Sequence, residues 1–325
     1  MCIFRYIRRA AAIALTLYSV TVFANNNTND TANSVQIAKF RDNKIAAISM
    51  SLSDSTPDHF LIAAPVLTKH GMRATFFTIT SERSETLGNL HILDEGGHEI
   101  ASHTMTHCPI VGATEDIILR EVKGSQELLE ANSQQKVVTF GYPNGERSEE
   151  LTDIVNQYYL YQAPRLVNFG GADFTLADAM RIIDIRIANQ DALMICFHGI
   201  HPDMEGWIPF SAPDLFEQIV VAIKDLPETV WRGMTLAELM QYTTLCDNCT
   251  ITEQTNLPDH YQFLLRLPDD MARYQGNVTL LVRTAVLDPE VKIDNKPTAY
   301  TRLVDGRLMF DAPANSEIKI TPKSQ

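Results

Sequence analysis

From Lys44 to about Leu245 the chain alternates short apolar runs with amphipathic stretches, and polar residues recur where each apolar run stops. Ile45 to Leu52 reads as a buried strand that runs into Ser53-Asp54-Ser55-Thr56, and Pro57 to His70 as a helix closed by Gly71. Arg73 to Thr80, His98 to Ser102, Val137 to Tyr142 and Leu193 to Phe197 read as further strands. Asn89 to Glu95, Thr114 to Ala131, Glu149 to Tyr158, Ser211 to Asp225 and Thr235 to Tyr242 carry helical patterning. Strand and helix in turn predict parallel strands joined by crossover helices, an α/β class. In α/β barrels the site lies at the strand C-terminal edge. Ser53-Asp54, His103, Tyr142-Pro143 and His198 all fall there.

The pattern changes after Cys249. Tyr261 to Leu267, Asn277 to Val286, Glu290 to Ile293, Ala299 to Leu303, Arg307 to Phe310 and Glu317 to Thr321 read as strands separated by Pro, Asp-Gly and Asn turns. Residues 250–325 are therefore expected to be a small all-β module that is dispensable for a site in residues 44–245. Residues 25–43, rich in Asn, Thr and Ser at first, read as a flexible leader.

Residues 1–24 have the layout of a secretory signal peptide. Arg5, Arg8 and Arg9 precede the apolar run Ala10 to Val22, and Val22-Phe23-Ala24 fits a cleavage site. That run is shorter than the roughly 20 residues a spanning helix needs, which argues against an integral membrane anchor. A secreted or periplasmic location is the expectation. Loss of the three arginines takes the net charge from −13 to −16, a field that repels nucleic acid. In an oxidising compartment Cys246 and Cys249 are expected to form a local disulfide. A zinc half-site would want a second C-x-x-C, which the chain lacks. Cys108 and Cys196 read as buried small apolar residues.

His103-Thr104-Met105-Thr106-His107 places two imidazoles at i and i+4, on one side of a helical turn. With nine His in the chain, chance supplies roughly a quarter of one such pair, so the spacing needs its context. Asp54 after one strand supplies it. A carboxylate with two imidazoles is an N,N,O set suited to a catalytic zinc or related divalent ion. His198 follows a third strand, where a proton donor would face the same mouth.

These residues, in this order, resemble the polysaccharide deacetylase family, the chitooligosaccharide deacetylase homology domain. The block T-F-D-D-G stands here as Ser51-Leu52-Ser53-Asp54-Ser55, and "ATFF" as Ala74-Thr75-Phe76-Phe77. H-[ST]-x-x-H is His103 to His107, "F-A-Y-P-Y-G" is Phe140 to Gly145, and the late His block is Phe197-His198-Gly199-Ile200. The resemblance covers about residues 44–245. It implies a distorted, incomplete (β/α) barrel that removes N-acetyl, or sometimes O-acetyl, groups from glycans such as chitin or peptidoglycan. It implies Asp54, His103 and His107 as ligands of one divalent ion, Zn2+ above others. It implies a backbone N–H near Tyr142 as oxyanion holder and His198 as the acid for the leaving amine. Pro143 and Trp231 would line the substrate, and Trp207 its rim.

The chain departs from the family at the first Asp of the D-D pair, the general base, which is Ser53. A hydroxyl does not take a proton from water as a carboxylate does. Loss of such a base costs about 10²- to 10⁴-fold in rate. Asp58 and Asp184 are the candidate substitutes. The reading is thus an N-deacetylase, with a metal- and glycan-binding pseudoenzyme of the same fold as its alternative. The family's Arg at the Gly141 position is also missing.

Overall fold

The computed structural model describes residues 33–80 and 84–323, so the expected signal peptide and its cleavage site lie outside the described residues. The described residues form one compact unit. It begins with β1 (Ser34–Ile37), then the central strand β2 (Ala46–Ser53), α1 (Ala64–Lys69), β3 (Thr75–Thr78), α2 (Ser84–Glu95) and β4 (Glu99–Ser102). Next come α3 (Glu115–Leu119), α4 (Ser125–Asn132), β5 (Thr139–Phe140), α5 (Glu149–Tyr158), β6 (Tyr161–Gln162) and β7 (Val167–Asn168). The α/β part closes with α6 (Leu176–Ala188), β8 (Ala192–Phe197), α7 (Leu215–Lys224), β9 (Val230–Arg232) and α8 (Leu236–Asn248).

The strands lie in the order β6-β5-β4-β3-β2-β8-β7, and all pairs are parallel. This is the expected curled, incomplete α/β barrel. β2 (AAISMSLS) is buried along its length, as a strand covered on both faces must be. β8 holds one edge of β2, from Ala47 to Leu52. The other edge is shared: β9 pairs with Ala46 to Ile48 and β3 with Ser51 to Ser53.

Two helices carry π-turns. His59–Ala63 runs straight into α1, and Arg120–Gly124 joins α3 to α4. The single helix expected over Thr114 to Ala131 is therefore one rod with a shift of phase inside it. Helix α6 lies between Tyr158 and Leu193, where the apolar patterning predicts no helix. Its signal is the capping box Thr175…Asp178, in which Thr175 Oγ1 accepts from the Asp178 N–H.

The C-terminal strands are β10 (Thr250–Leu257), β11 (His260–Arg266), β12 (Asn277–Arg283), β13 (Pro289–Ile293), β14 (Lys296–Thr298), β15 (Thr301–Arg302), β16 (Leu308–Pro313) and β17 (Ser316–Pro322). They form two antiparallel sheets, β1-β12-β16-β15 and β10-β11-β17-β13-β14. The leader is thus corrected over its second half. Ser34–Ile37 is an edge strand paired with Leu280 to Arg283, and its alternating pattern lets Val35 and Ile37 pack on the sandwich core. Tyr242 and Leu245 of α8 belong to the same core, and the Tyr242 hydroxyl donates to the Ala38 carbonyl at 2.7 Å. Cys246 and Cys249 are free thiols, against the expected bridge. Cys246 faces the Ala38 carbonyl at 3.5 Å, while Cys249 ends the helix and turns into the sandwich core.

Because α8 packs on both β2 and β12, and β1 pairs with β12, truncation near Thr250 removes the cover of Tyr242 and Leu245. It should yield aggregated protein, read by size-exclusion chromatography, and not a soluble barrel.

At the start of β4, His98 is fully buried. The Ala74 N–H donates to its Nδ1 at 3.4 Å, and its Nε2 meets the Ala64 carbonyl at 3.3 Å. Burial, with Arg73 nearby, lowers its pKa from 6.5 to about 4 despite the Ala64 carbonyl. Between those values the unfolded chain takes up a proton that the native imidazole refuses. Stability conferred by the neutral ring is complete above pH 6.5 and lost as pH falls toward 4, by about 3 kcal/mol. His98→Gln should flatten this acid limb in urea titrations at pH 7, 5.5 and 4.

Candidate metal centre

The parallel register brings the expected residues to one edge. Leu52 pairs with Phe197, so Asp54 and His198 leave their strands at nearly one height. Thr78 pairs with Ser102, and the His103 N–H donates to the Thr78 carbonyl at 2.9 Å. Asp54 Oδ1 stands 3.5 Å from His103 Nε2 and 3.5 Å from His107 Nε2. His198 Nε2 stands 4.0 Å from the other carboxylate oxygen, Oδ2. One ligand atom each from Asp54, His103 and His107 falls within a 4.8 Å cluster.

The chain reaches this geometry through unusual backbone. Asp54 and Ser55 have φ of 84° and 53°, and Thr104 and His107 have 67° and 57°. Left-handed φ is a genuine outlier for a β-branched residue such as Thr104. Each such residue stores about 1–3 kcal/mol of strain, held by its surroundings. Ser55 stands where the family block has glycine, and its Oγ accepts from the Ile79 N–H at 2.9 Å. The His103–His107 pair is not on a helical turn, which corrects the reading from its spacing. It spans a tight loop in which the His107 N–H donates to Thr104 Oγ1 at 3.0 Å.

Electrostatics agree with a cation site. Burial works to raise the Asp54 carboxyl, but the His103 hydrogen bond and the imidazoles of His103, His198 and His107 outweigh it and hold it at about 2. His103 Nδ1 donates to the Gly141 carbonyl at 2.9 Å, which leaves Nε2 as a lone-pair donor. A carboxylate and two imidazoles converging on one point fit a divalent ion. His198 is lowered to about 4 by burial, against the pull of Asp54 and with His59, His103 and His107 adding to the fall. Its Nδ1 is buried with no hydrogen-bond partner.

Ser53 is buried at the end of β2, level with Phe77 on β3. A Cβ on Gly141 would stand 2.6 Å from the Phe77 ring and 3.1 Å from His103 Nδ1. Phe77 therefore fills the space beside the position where the family has Arg. Asp58 is fully buried and spent elsewhere. It accepts from Thr56 Oγ1 at 2.5 Å and from the Ile200 and His201 N–H groups at 2.7 and 3.3 Å. With His59, whose Nε2 donates to the His198 carbonyl at 2.5 Å, it fixes the His198 loop. Asp184 is exposed on α6. Arg181 of the same helix pairs with Asp178 at 3.3 Å.

Tyr142 and Pro143 are buried just past Gly141, on the site edge. The Tyr142 hydroxyl donates to Gln162, and the Arg147 guanidinium lies 4.5 Å from its ring centre. Trp207 is the aromatic residue that reaches the site: 56% exposed, it meets the His198 ring edge-on at 4.7 Å. The Gly199 N–H donates to the Trp207 carbonyl, and Gly199 crosses Gly206 so closely that a Cβ on Gly206 would stand 2.4 Å from the Gly199 Cα. Trp231 is corrected. It pairs at Ala47, seven residues before Asp54, which puts it about 20 Å below the site at 3.3 Å per residue. There it packs on Tyr242 and under Arg41.

An incomplete parallel barrel with a His, His, Asp cluster at its strand ends defines the class. Residues 41–163 match the family model described as polysaccharide deacetylase. Over 111 residues the chain is 31% identical to YxkH of Bacillus subtilis (strain 168), assigned by its name to the polysaccharide deacetylases, covering 32% of this chain and 38% of YxkH. Over 127 residues it is 30% identical to a gellan lyase of Bacillus sp., covering 38% of this chain and 5% of the lyase. The chain thus spans well under half the length of these curated relatives. A Mycobacterium smegmatis structure, likewise assigned by name to the polysaccharide deacetylases, shares the fold with a TM-score of 0.52 at 15% identity, over 63% of this chain and 92% of that one.

Zinc titration monitored by calorimetry should give one ion per chain. His103→Ala should weaken binding by roughly 100-fold or more, since it deletes a ligand outright and not merely a ligand's support.

Proposed function

We propose that this protein is a metal-dependent hydrolase that removes N-acetyl groups from a glycan of the chitin or peptidoglycan type, with zinc as its ion, in a secreted or periplasmic setting. The observation that carries the reading is the 4.8 Å cluster of Asp54, His103 and His107, with His198 facing the second Asp54 oxygen. A divalent ion held there polarises an acetyl carbonyl and lowers the pKa of water toward about 7. The residues of the chain supply the rest. His103, oriented by the Gly141 carbonyl, keeps its lone pair on the ligand side. The Tyr142 N–H, next in the chain after Gly141, serves as the oxyanion donor. His198, neutral near pH 7, takes the proton released by the attacking water and passes it to the departing amine, which leaves poorly as an anion. Trp207 offers an exposed face to a sugar ring beside that imidazole.

The second reading is a glycan-binding protein of this fold with little turnover, favoured by Ser53. Neither candidate carboxylate replaces the base: Asp58 is tied to Thr56, Ile200 and His201, and Asp184 is on an outer helix. Acetate release from chitooligosaccharides and peptidoglycan, with zinc supplied, separates the two. Slow wild-type release that Ser53→Asp raises about 10²-fold, at unchanged zinc stoichiometry, supports a deacetylase short of its base. Release that stays at background in both proteins, with zinc and glycan bound, supports the binding protein.

A further inference from the structure

We propose that Glu121 is the positioning residue that holds the His103–His107 loop in its ligand-ready shape, assisted by Ser125 one turn on; the proposal rests on the metal-centre reading above. Glu121 lies in the π-turn between α3 and α4, and its side chain is fully buried. Both its carboxylate oxygens serve one residue of the loop. Oε2 accepts from the Thr106 N–H at 2.8 Å and Oε1 from Thr106 Oγ1 at 3.0 Å. Arg120 reaches Oε1 at 3.2 Å. Ser125, also fully buried, donates from Oγ to the Thr104 carbonyl at 3.1 Å and meets Ser102 Oγ at 2.9 Å.

The helix therefore grips the loop at Thr104 and Thr106, and the two imidazoles project from its ends at His103 and His107. Both grip points are needed where the backbone is strained. Thr104 and His107 hold left-handed φ values that relaxation would abandon, and relaxation would part the imidazoles. The π-turn sets the phase. An extra residue in the turn rotates the helix beyond it, so α4 offers Ser125 and Leu129 to the core. Gly124 ends the turn facing the loop, and a Cβ there would stand 2.8 Å from the mobile terminal methyl of Met105. A buried carboxylate is an expensive way to fill a core, and an apolar residue would pack as well. What the carboxylate adds is a fixed direction for the residue next to His107.

The test is zinc affinity by chelator competition, with circular dichroism and thermal melting of the zinc-free protein alongside. Glu121→Gln keeps the shape but removes one acceptor and the negative charge that strengthens both Thr106 contacts. It should lower zinc affinity about 10- to 100-fold, the range typical for residues that orient ligands. Thr106→Val should lower it less, and the double variant should lose no more than Glu121→Gln alone, because both break one contact. Ile183→Val, in the core of α6, should lower the melting temperature and leave zinc affinity unchanged. If Glu121→Gln does not fold, Ser125→Ala and Thr106→Val carry the test, each with an expected several-fold loss. Wild type that binds no zinc overturns the metal-centre reading itself. Wild type that binds zinc, with every clamp variant equal to it or losing affinity only in step with its melting temperature, overturns the clamp.

Discussion

Every site residue takes its height from β2. This strand is buried throughout and hydrogen-bonds to β3, β8 and β9, so its parallel register is fixed from both edges. A slip of one residue would swap Met50 and Leu52 with the buried serines Ser49, Ser51 and Ser53 of the opposite face and move Asp54 away from His103 and His198. The pairings Leu52 with Phe197 and Thr78 with Ser102 carry the same level across the sheet. The cluster at the mouth thus depends on main-chain hydrogen bonds that lie well below it.

Above the strand ends the backbone is strained, and buried polar groups hold it. Ser55 secures the turn behind Asp54, Glu121 and Ser125 secure the loop of His103 and His107, and Asp58 with His59 secures the loop of His198. Asp58, Glu121 and Ser125 show no appreciable exposure. Hydrogen bonds of this kind are worth more where water cannot compete, and leaving one unmade costs correspondingly more. Each π-turn adjoins one of these holding residues: Asp58 directly precedes the first, and Glu121 lies within the second. The polar holders and the irregular helices are one arrangement, because a regular helix presents a different set of residues to each loop.

Ser53, at the position where the resemblance sets a general base, is likewise a matter of packing as much as of one residue. Ser53 is level with Phe77, and the Phe77 ring occupies the space that a side chain at position 141 would need. This corner of the mouth holds a hydroxyl, a bare glycine and an aromatic wall.

The alternation of strand and helix, the antiparallel character of the C-terminal strands and the donor residues at strand ends were all legible in the amino-acid order. They rest on local periodicity and residue chemistry, which need no partner to be read. The placement of Trp231 was not legible, because only register reveals that β9 joins the start of β2 and not its end. Nor was the pairing of β1 with the β-sandwich or the tie from α8 to Ala38, because these contacts join residues more than 200 apart. The form of the His103–His107 loop was also hidden: i and i+4 spacing is helical by default, and only the grip of Glu121 and Ser125 from a distant helix makes left-handed Thr104 and His107 tolerable. Tertiary packing alone sets which polar groups lose access to water together, since strain and buried charge persist only where several chain segments close around them.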